Sequence, residues 1–377
     1  MKHPVIIIDD HIPFIKGVLE PFARVTYAPG GVISKDIASK ADGLIIRTRT
    51  RCNAELLDGI PVKFIASATI GTDHIDIQYC NNRSIEWYHA PGCNSGSVMQ
   101  YMASAFSRLS TKYHISLAGK TIGIIGAGNV GKKIALLAEI LGMSPLLNDP
   151  PRARNEGQQG FVSLQKIKEE CDLITFHVPL NLGGDDRTFH LANDAFFNSL
   201  AKKPLIINTS RGAVVDGSAL KVAHQKGMIR GFVADVWEDE PHIDRELLAI
   251  ADIATPHIAG YSVEGKANGT AAVVRAASRY FGFGIDEWYP ENLPGPGEPV
   301  IEIKSAGKSE ERIIDEAILG TYDVLKDDRT LRNDPLQFEY LRNYYPVRRE
   351  FSAYTLHTKG LNHELRLKLN QLGFDGG

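Results

Sequence analysis

The sequence lacks the features that define several protein classes. Its four cysteines, Cys52, Cys80, Cys93 and Cys171, form no Cys-x-x-Cys pair and no metal-like spacing. That excludes a disulfide framework and a cysteine-based zinc site, so the thiols are read as inert and no metal is expected. No apolar run reaches the ~20 residues needed to cross a bilayer. Met1-Lys2-His3-Pro4 enters a strand-like run without the charged-then-apolar pattern of a signal peptide. The expected location is the cytoplasm, with no membrane partner. Charge of one sign is also missing, with 42 Lys and Arg against 45 Asp and Glu and a formal net charge of -3. Such a balance offers no field for nucleic acid. Internal repeats and low-complexity tracts are absent too.

What remains is a globular composition, 43% hydrophobic and 23% charged over 377 residues, enough for two or three domains. The stretch that organises it runs from Thr121 to Asp149. Thr121 to Ile125 reads as a buried strand, and Gly126-Ala-Gly128-Asn129-Val130-Gly131 follows at once. Val130, Ile134, Leu137 and Leu141 then recur at helical spacing, Gly142 stops the helix, and Pro145 to Leu147 reads as a second strand before Asp149. Strand, glycine turn, helix, strand and acid in about thirty residues predict dinucleotide binding. Gly126 permits the turn, Gly128 lets the backbone approach a pyrophosphate, and Gly131 lets the helix pack close. The helix N-terminus attracts the phosphates. Asp149 would accept from the adenosine ribose and repel a 2′-phosphate, favouring NAD, with Arg152 and Arg154 as the nearby residues that keep NADP open.

Taken in order, strand-like runs stand at Val5 to Ile8, Val25 to Tyr27, Gly43 to Arg47, Lys63 to Ala68 and Ile85 to Tyr88. Helical or turn segments separate them, including Ile12 to Phe22, Asn53 to Leu57 and Asp76 to Asn81. This alternation predicts a small parallel α/β domain. A long helix, Ser97 to Leu109, leads into a second domain with further parallel strands at Leu173 to Phe176, Leu205 to Asn208, Phe232 to Val236 and Ile253 to Ala254. Ser262 to Phe281 reads as a helix that completes the first domain. Tyr289 to Pro299, rich in Pro and Gly, is a linker. Beyond it, Ile313, Ile314, Ala317, Ile318, Val324 and Leu325 form an apolar helical stripe, expected to be buried against a second subunit. Leu336 to Tyr345 suggests another helix, Phe351 to Leu356 a strand, and His363 to Leu372 a last helix.

Three strands of the second domain end in polar groups: Asn208-Thr209-Ser210-Arg211-Gly212, Asp235-Val-Trp-Glu-Asp-Glu240-Pro241 and Thr255-Pro-His257-Ile-Ala-Gly260-Tyr261. All three would reach the sheet edge where a nicotinamide must lie. Oxidation of a 2-hydroxy acid needs this set. An arginine grips the carboxylate, a histidine takes the hydroxyl proton, and a carboxylate orients the histidine.

With these motifs and Gly71-Thr-Asp-His-Ile-Asp76 in this order, the chain resembles the D-isomer-specific 2-hydroxyacid dehydrogenases from about Gly43 to Tyr261. The resemblance implies NAD as cofactor and Arg211, Glu240 and His257 as the catalytic set. It implies cofactor contacts at Gly126, Gly128, Asn129, Val130, Gly131, Asp149, Val178, Thr209, Ser210, Arg211, Asp235 and Gly260, with Asp235 on the nicotinamide carboxamide. Two stretches depart from the family pattern: Ser95-Gly-Ser-Val-Met-Gln100, and Val178, where a threonine is common.

Within the family the chain is most similar to members that act on a small phosphorylated hydroxy acid and dimerise through a C-terminal module. Ala90-Pro-Gly-Cys93-Asn94, Gly260-Tyr261-Ser262 and Tyr345-Pro-Val-Arg348-Arg349-Glu350 carry that likeness, which places substrate contacts at Thr48, Thr69 and Tyr261. A phosphate needs cations, and Arg47, Arg49 and Arg51 alternate along what reads as an extended stretch, so they would project to one side. The expected architecture is α/β: a flavodoxin-like substrate domain (1–96 with 262–288), a Rossmann-type doubly wound NAD domain (97–261) and a small α+β dimerisation domain (289–377). Catalysis would take place in a cleft between the first two. Alternatives are a dehydrogenase of 3-phosphoglycerate or another D-2-hydroxy acid, and an NAD(H)-sensing scaffold without turnover.

Overall fold

The computed structural model describes residues 3–358 and 360–374. Met1 and Lys2, which begin the stretch read above as lacking a signal peptide, lie outside the described residues. The chain divides into two compact units, Met1–Asn94 with Ser262–Pro294 and Ser95–Tyr261 with Gly295–Gly377.

In the first unit the strands are β1 (Val5–Asp9), β2 (Arg24–Ala28), β3 (Gly43–Ile46), β4 (Phe64–Ser67) and β5 (Glu86–Tyr88). They pair in parallel in the order β2-β1-β3-β4-β5, the flavodoxin-like arrangement. Successive residues of β1 and β3 enter opposite cores: Ile7, Leu44 and Ile46 on one face, Ile6, Ile8 and Ile45 on the other. A sheet buried on both faces explains why these strands read as unbroken apolar runs. Helix Val263–Phe281 packs Val273, Val274 and Ala277 into the second of these cores. Its N-terminus is capped by Ser262, which accepts from the Gly265 N–H at 2.8 Å, and Gly282 ends it in the left-handed region.

Two expectations fail in this unit. Ile12 to Phe22 forms turns, not a helix, because Pro13 and Pro21 lack an N–H and Gly17 adopts φ +85°. The Arg47–Arg51 stretch is not extended either. β3 ends at Ile46, and residues 48–50 turn, with the Thr50 N–H directed to the Arg47 carbonyl at 3.4 Å. Buried Thr50 is tied to the Gly30 carbonyl at 2.9 Å. The turn removes the every-second-residue alternation that would have sent the three arginines to one side.

In the second unit β6 (Thr121–Ile125), β7 (Ser144–Asn148), β8 (Leu173–Phe176), β9 (Leu205–Asn208), β10 (Gly231–Ala234) and β11 (Ile253–Ala254) pair in parallel in the order β11-β10-β9-β8-β6-β7. The chain moves outward from β6 to β7 and then crosses back to β8. That reversal opens a crevice at the carboxyl ends of β6 and β8, where ligands of such sheets bind. Helix Ser95–Tyr113, with Tyr101, Met102, Phe106 and Leu109 fully buried, shares one core with helix Asn129–Ile140.

The C-terminal segment contains β12 (Val300–Ile303), paired in parallel with β13 (Thr355–Thr358). β12 was not foreseen, and the strand expected at Phe351–Leu356 begins only at Thr355, after a short turn of helix at Phe351–Ala353. The apolar stripe lies on two helices, Glu310–Thr321 and Val324–Asn333. Asp323 separates them, capping the second and receiving a two-pronged grip from Arg108 at 2.9 and 2.7 Å. Ile313, Ile314, Ala317, Ile318 and Val324 are buried in the same core as helix Ser95–Tyr113. The stripe is therefore covered within the chain and not by a second subunit. The large apolar side chains that this segment exposes include Leu336, Tyr340, Tyr344 and Val347.

Candidate active site

The three glycines of the turn after β6 differ in what constrains them. Gly126 has φ +93°, and a Cβ there would lie 2.5 Å from the His177 carbonyl oxygen. A Cβ on Gly131 would lie 2.0 Å from the Gly126 carbonyl oxygen, whereas Gly128 faces open space. Helix Asn129–Ile140 begins at Gly128 with no side chain capping it, and Asn129 is exposed with Val130 half-buried beside it. Backbone N–H groups left uncapped above open space suit a pyrophosphate, so the residues fit a dinucleotide.

Asp149, after β7, accepts from the Ala127 N–H at 2.9 Å and the Arg152 N–H at 3.1 Å, which ties the acid to the glycine turn. The two arginines that kept NADP open are both engaged. Arg152 binds Glu156 and the Ala127 carbonyl, and Arg154 binds Asp186. At the end of β8, His177 lies between Thr175 Oγ1 at 3.0 Å and Thr209 Oγ1 at 3.3 Å. Desolvation depresses its pKa to about 3, so it is a neutral ring at physiological pH. Val178 follows it and approaches Gly126.

The turn after β9 is organised by Asn208. Its amide donates to the Arg211 carbonyl at 2.9 Å, and its oxygen accepts from the Ser210 N–H and hydroxyl at 3.1 and 2.8 Å. Arg211 Nη1 donates to the Ser210 carbonyl at 2.8 Å. Next to it, a Cβ on Gly212 would lie 2.0 Å from the Trp237 carbonyl carbon and oxygen. Glycine at 212 thus lets the arginine turn pack directly against the backbone that follows β10.

That backbone presents Glu240. Its Oε1 accepts from the Trp237 N–H at 3.0 Å and its Oε2 from His257 Nδ1 at 2.8 Å. Both side chains are largely withdrawn from water, at 19% and 26% exposure. Burial alone would raise the Glu240 carboxyl. The charges of His257 and Arg342 and the hydrogen bonds from His257 and Trp237 instead hold it below the usual carboxylate range. An ionised Glu240 can only accept, so Nδ1 carries the proton and Nε2 is the ring atom left to take one.

The loop bearing His257 hangs on Asp235. The Asp235 carboxylate, fully buried, accepts from the Thr255 hydroxyl at 2.7 Å and from the Ile258 and Ala259 N–H groups at 2.8 and 2.9 Å. Its carbonyl accepts from the His257 N–H at 2.7 Å. The Tyr101 hydroxyl in turn donates to Thr255 Oγ1 at 2.7 Å. So clamped, His257 sits at φ +58°, a conformation uncommon outside glycine and met at functional sites. Gly260 follows half-buried, and the Tyr261 hydroxyl accepts from Arg342 Nε at 3.1 Å.

Arg211, Glu240, His257 and Tyr261 all lie in the second unit, on loops after β9, β10 and β11. Thr48, Thr69, Arg47 and Arg49 lie in the first unit. There Arg47 donates to the His11 carbonyl at 3.3 Å, and Thr69 meets Ser67 Oγ at 2.7 Å. Sequence reasoning missed the organising role of Asn208, the bridging role of His177, and Arg342. The first two stand at strand ends and were available to it. Arg342 sits in the C-terminal segment, and no local pattern linked it to the site.

The profile of the D-isomer specific 2-hydroxyacid dehydrogenase NAD binding domain matches residues 96–259, and a domain family of unknown function matches residues 295–373. The erythronate-4-phosphate dehydrogenase of Bacteroides thetaiotaomicron is 49% identical over 352 residues, 93% of this chain and 98% of its own. That of Pectobacterium atrosepticum is 38% identical over 98% of both chains. Among solved structures, the D-lactate dehydrogenase of Aquifex aeolicus, complexed with NAD and lactic acid, aligns with TM-score 0.62 at 24% identity, over 77% of this chain and all of that one. The NAD-bound 3-phosphoglycerate dehydrogenase of Entamoeba histolytica aligns with TM-score 0.64 at 23% identity, over 78% and 100%. These two likenesses speak to the fold. On the near-complete match to curated relatives, the chain belongs to the erythronate-4-phosphate dehydrogenase branch of the D-isomer specific 2-hydroxyacid dehydrogenase family, and is an NAD-dependent dehydrogenase.

Proposed function

We propose that the chain oxidises the 2-hydroxyl of 4-phospho-D-erythronate to the 2-oxo acid, 3-hydroxy-2-oxo-4-phosphooxybutanoate, on the route to pyridoxal phosphate (vitamin B6). The observation that carries the chemistry is the His257–Glu240 pair at 2.8 Å, on the loop next to the Arg211 turn. Arg211 grips the substrate carboxylate and His257 Nε2 takes the hydroxyl proton. Glu240 holds the ring in the required tautomer and stabilises the imidazolium that results. When bound, NAD supplies the hydride acceptor. The glycine turn of Gly126, Gly128, Asn129, Val130 and Gly131 holds its phosphates and Asp149 its ribose. Val178, Thr209, Ser210, Arg211, Asp235 and Gly260 line its nicotinamide end.

In this reading Tyr261 contacts the substrate, and Thr48, Thr69, Arg47 and Arg49 are the contacts offered by the first unit, the substrate-binding domain. Residues 289–377 pair two copies of the chain, with Leu336, Tyr340, Tyr344 and Val347 as the exposed apolar surface that supports a partner. Cytoplasmic residence is supported by four cysteines outside any disulfide, and no described helix is long and apolar enough to cross a membrane.

The deciding experiment follows NADH formation with 4-phosphoerythronate beside 3-phosphoglycerate and D-lactate, with and without 2-oxoglutarate, while also measuring 2-hydroxyglutarate. Selective turnover of the four-carbon phosphate is expected. Preference for 3-phosphoglycerate would overturn the substrate, and no turnover despite NAD binding would favour the scaffold.

A further inference from the structure

The C-terminal segment, matched by a domain family of unknown function, touches the proposed proton-transfer apparatus at three depths. Farthest from the chemistry, Asp328 accepts from the Ala254 N–H at 2.7 Å while Arg332 Nε holds its carboxylate at 2.9 and 3.0 Å. This fixes β11, whose end begins the His257 loop. Closer in, buried Arg348 donates from Nη2 to the Ala259 carbonyl at 2.6 Å, two residues past His257. Closest of all is Arg342, on the short helix Phe338–Asn343. Its Nε donates to the Tyr261 hydroxyl at 3.1 Å, its guanidinium lies 5.9 Å from the Tyr261 ring, and its Nη1 is 3.9 Å from Glu240 Oε2. That oxygen is the one that accepts from His257 Nδ1.

We propose that Arg342 is a positioning residue for the dehydrogenase reaction, by which the C-terminal segment holds Tyr261 in place and keeps the Glu240 carboxylate ionised behind His257. This rests on the reading of His257 and Glu240 as the proton-accepting pair. The groups that meet the Glu240 carboxylate include the His257 ring, the Arg342 guanidinium and the Trp237 N–H. Among them Arg342 brings a permanent charge. An exposed ion pair at this distance would contribute little, but Glu240 is mostly withdrawn from water, where a neighbouring charge is felt more strongly. The guanidinium also opposes protonation of the pair as a unit. Its hydrogen bond to Tyr261 fixes a side chain that stands directly after the His257 loop. One residue therefore serves both charge and geometry, which an appended dimerisation module would not require.

The test compares Arg342→Met and Arg342→Lys in the full-length protein, with His257→Ala as reference, measuring kcat and KM across pH, NAD affinity and thermal midpoint. Arg342→Met should lose about ten- to a hundred-fold in kcat/KM, the scale of a misplaced catalytic group. The acid limb of its pH–rate profile should move to higher pH, with NAD affinity and thermal midpoint near wild type. Arg342→Lys, which keeps the charge, should leave the limb in place and recover much of the rate. A wild-type rate and limb in Arg342→Met, with His257→Ala inactive, would overturn the proposal alone. A lower rate with an unmoved limb and a lowered thermal midpoint would reduce Arg342 to a structural contact and likewise overturn it. Normal turnover in His257→Ala would sink the underlying site reading, and this proposal with it.

Discussion

The glycine turn after β6 and the C-terminal segment both serve the same unit, yet they are written in different kinds of sequence. In the turn, function is a property of backbone: Gly126 and Gly131 are glycine because a Cβ would collide with main-chain oxygens 2.5 and 2.0 Å away. The partners of such a motif lie within a few residues, or on the next strand. In the C-terminal segment, function is a property of side chains reaching distant elements: Arg108 to Asp323, Gln100 to the Arg349 carbonyl at 2.7 Å, Ser97 to Glu350 at 2.9 Å, and Arg342 to Tyr261. The difference teaches that an apolar stripe reports that something covers it, but not what. Here the cover is helix Ser95–Tyr113 of the same chain.

The largest expected effect breaks the chemistry and leaves the glycine turn intact. His257→Ala or Arg211→Ala should lower kcat by about 10²–10⁴-fold, while NAD titration gives an affinity within a few-fold of wild type. Near-normal turnover in both would remove the proposed catalytic set. Next comes the C-terminal core. Ile318→Ala, at a fully buried position, should cost about 2–5 kcal/mol in denaturant unfolding. Tyr340→Ser on the exposed surface should stay within about 0.5 kcal/mol. Similar costs for the two would contradict burial of the stripe within the chain. If the exposed surface pairs two copies, light scattering of Tyr340→Ser should show monomers.

A smaller effect sharpens the view of the turns. Gly212→Ala places a Cβ 2.0 Å from the Trp237 carbonyl and should cost about 1–3 kcal/mol in thermal unfolding. Gly128→Ala meets nothing within 4 Å, so it should fold normally and instead weaken NAD binding. The reverse pattern would mean that the cradle is built differently. The smallest effect concerns pH. The folded Glu240 carboxyl is held below its ordinary 4.5, so its stabilisation is fully present above that value and lost as pH falls through the folded pKa. Thermal midpoints of wild type and Glu240→Gln should differ at neutral pH and converge in acid. A constant difference would show that the His257 pairing contributes nothing through ionisation.

Much of the fold was legible. Parallel strands buried on both faces are continuous apolar runs, so β6, β8 and β9 could be bounded to the residue from sequence, and Asn53, Asp76 and Ser262 mark helix starts because their side chains accept the first free N–H groups. The failures differ in cause. Ile12 to Phe22 carries apolar periodicity, but its prolines cannot support a helix. Arg47 to Arg51 alternates in sequence, but the anchoring of Thr50 to Gly30 turns the chain. β12 pairs with a strand more than fifty residues away, a contact that no local window contains. At the site, the loops bearing Arg211, Glu240 and His257 were marked by polar residues at strand ends, whereas Arg342 was invisible because its partners are 81 and 102 positions upstream, from 342 − 261 and 342 − 240.

Sequence by itself determined the two parallel sheets, the glycine turn and the identity of the polar residues at strand ends. Each follows from steric limits on the backbone or from burial that acts over a few residues. Tertiary structure alone decided that Glu240 faces His257, that Asp235 clamps the histidine loop, and that the C-terminal stripe is covered within the chain. Those are pairings between side chains far apart in sequence, and only the closed fold brings them within hydrogen-bonding or packing distance.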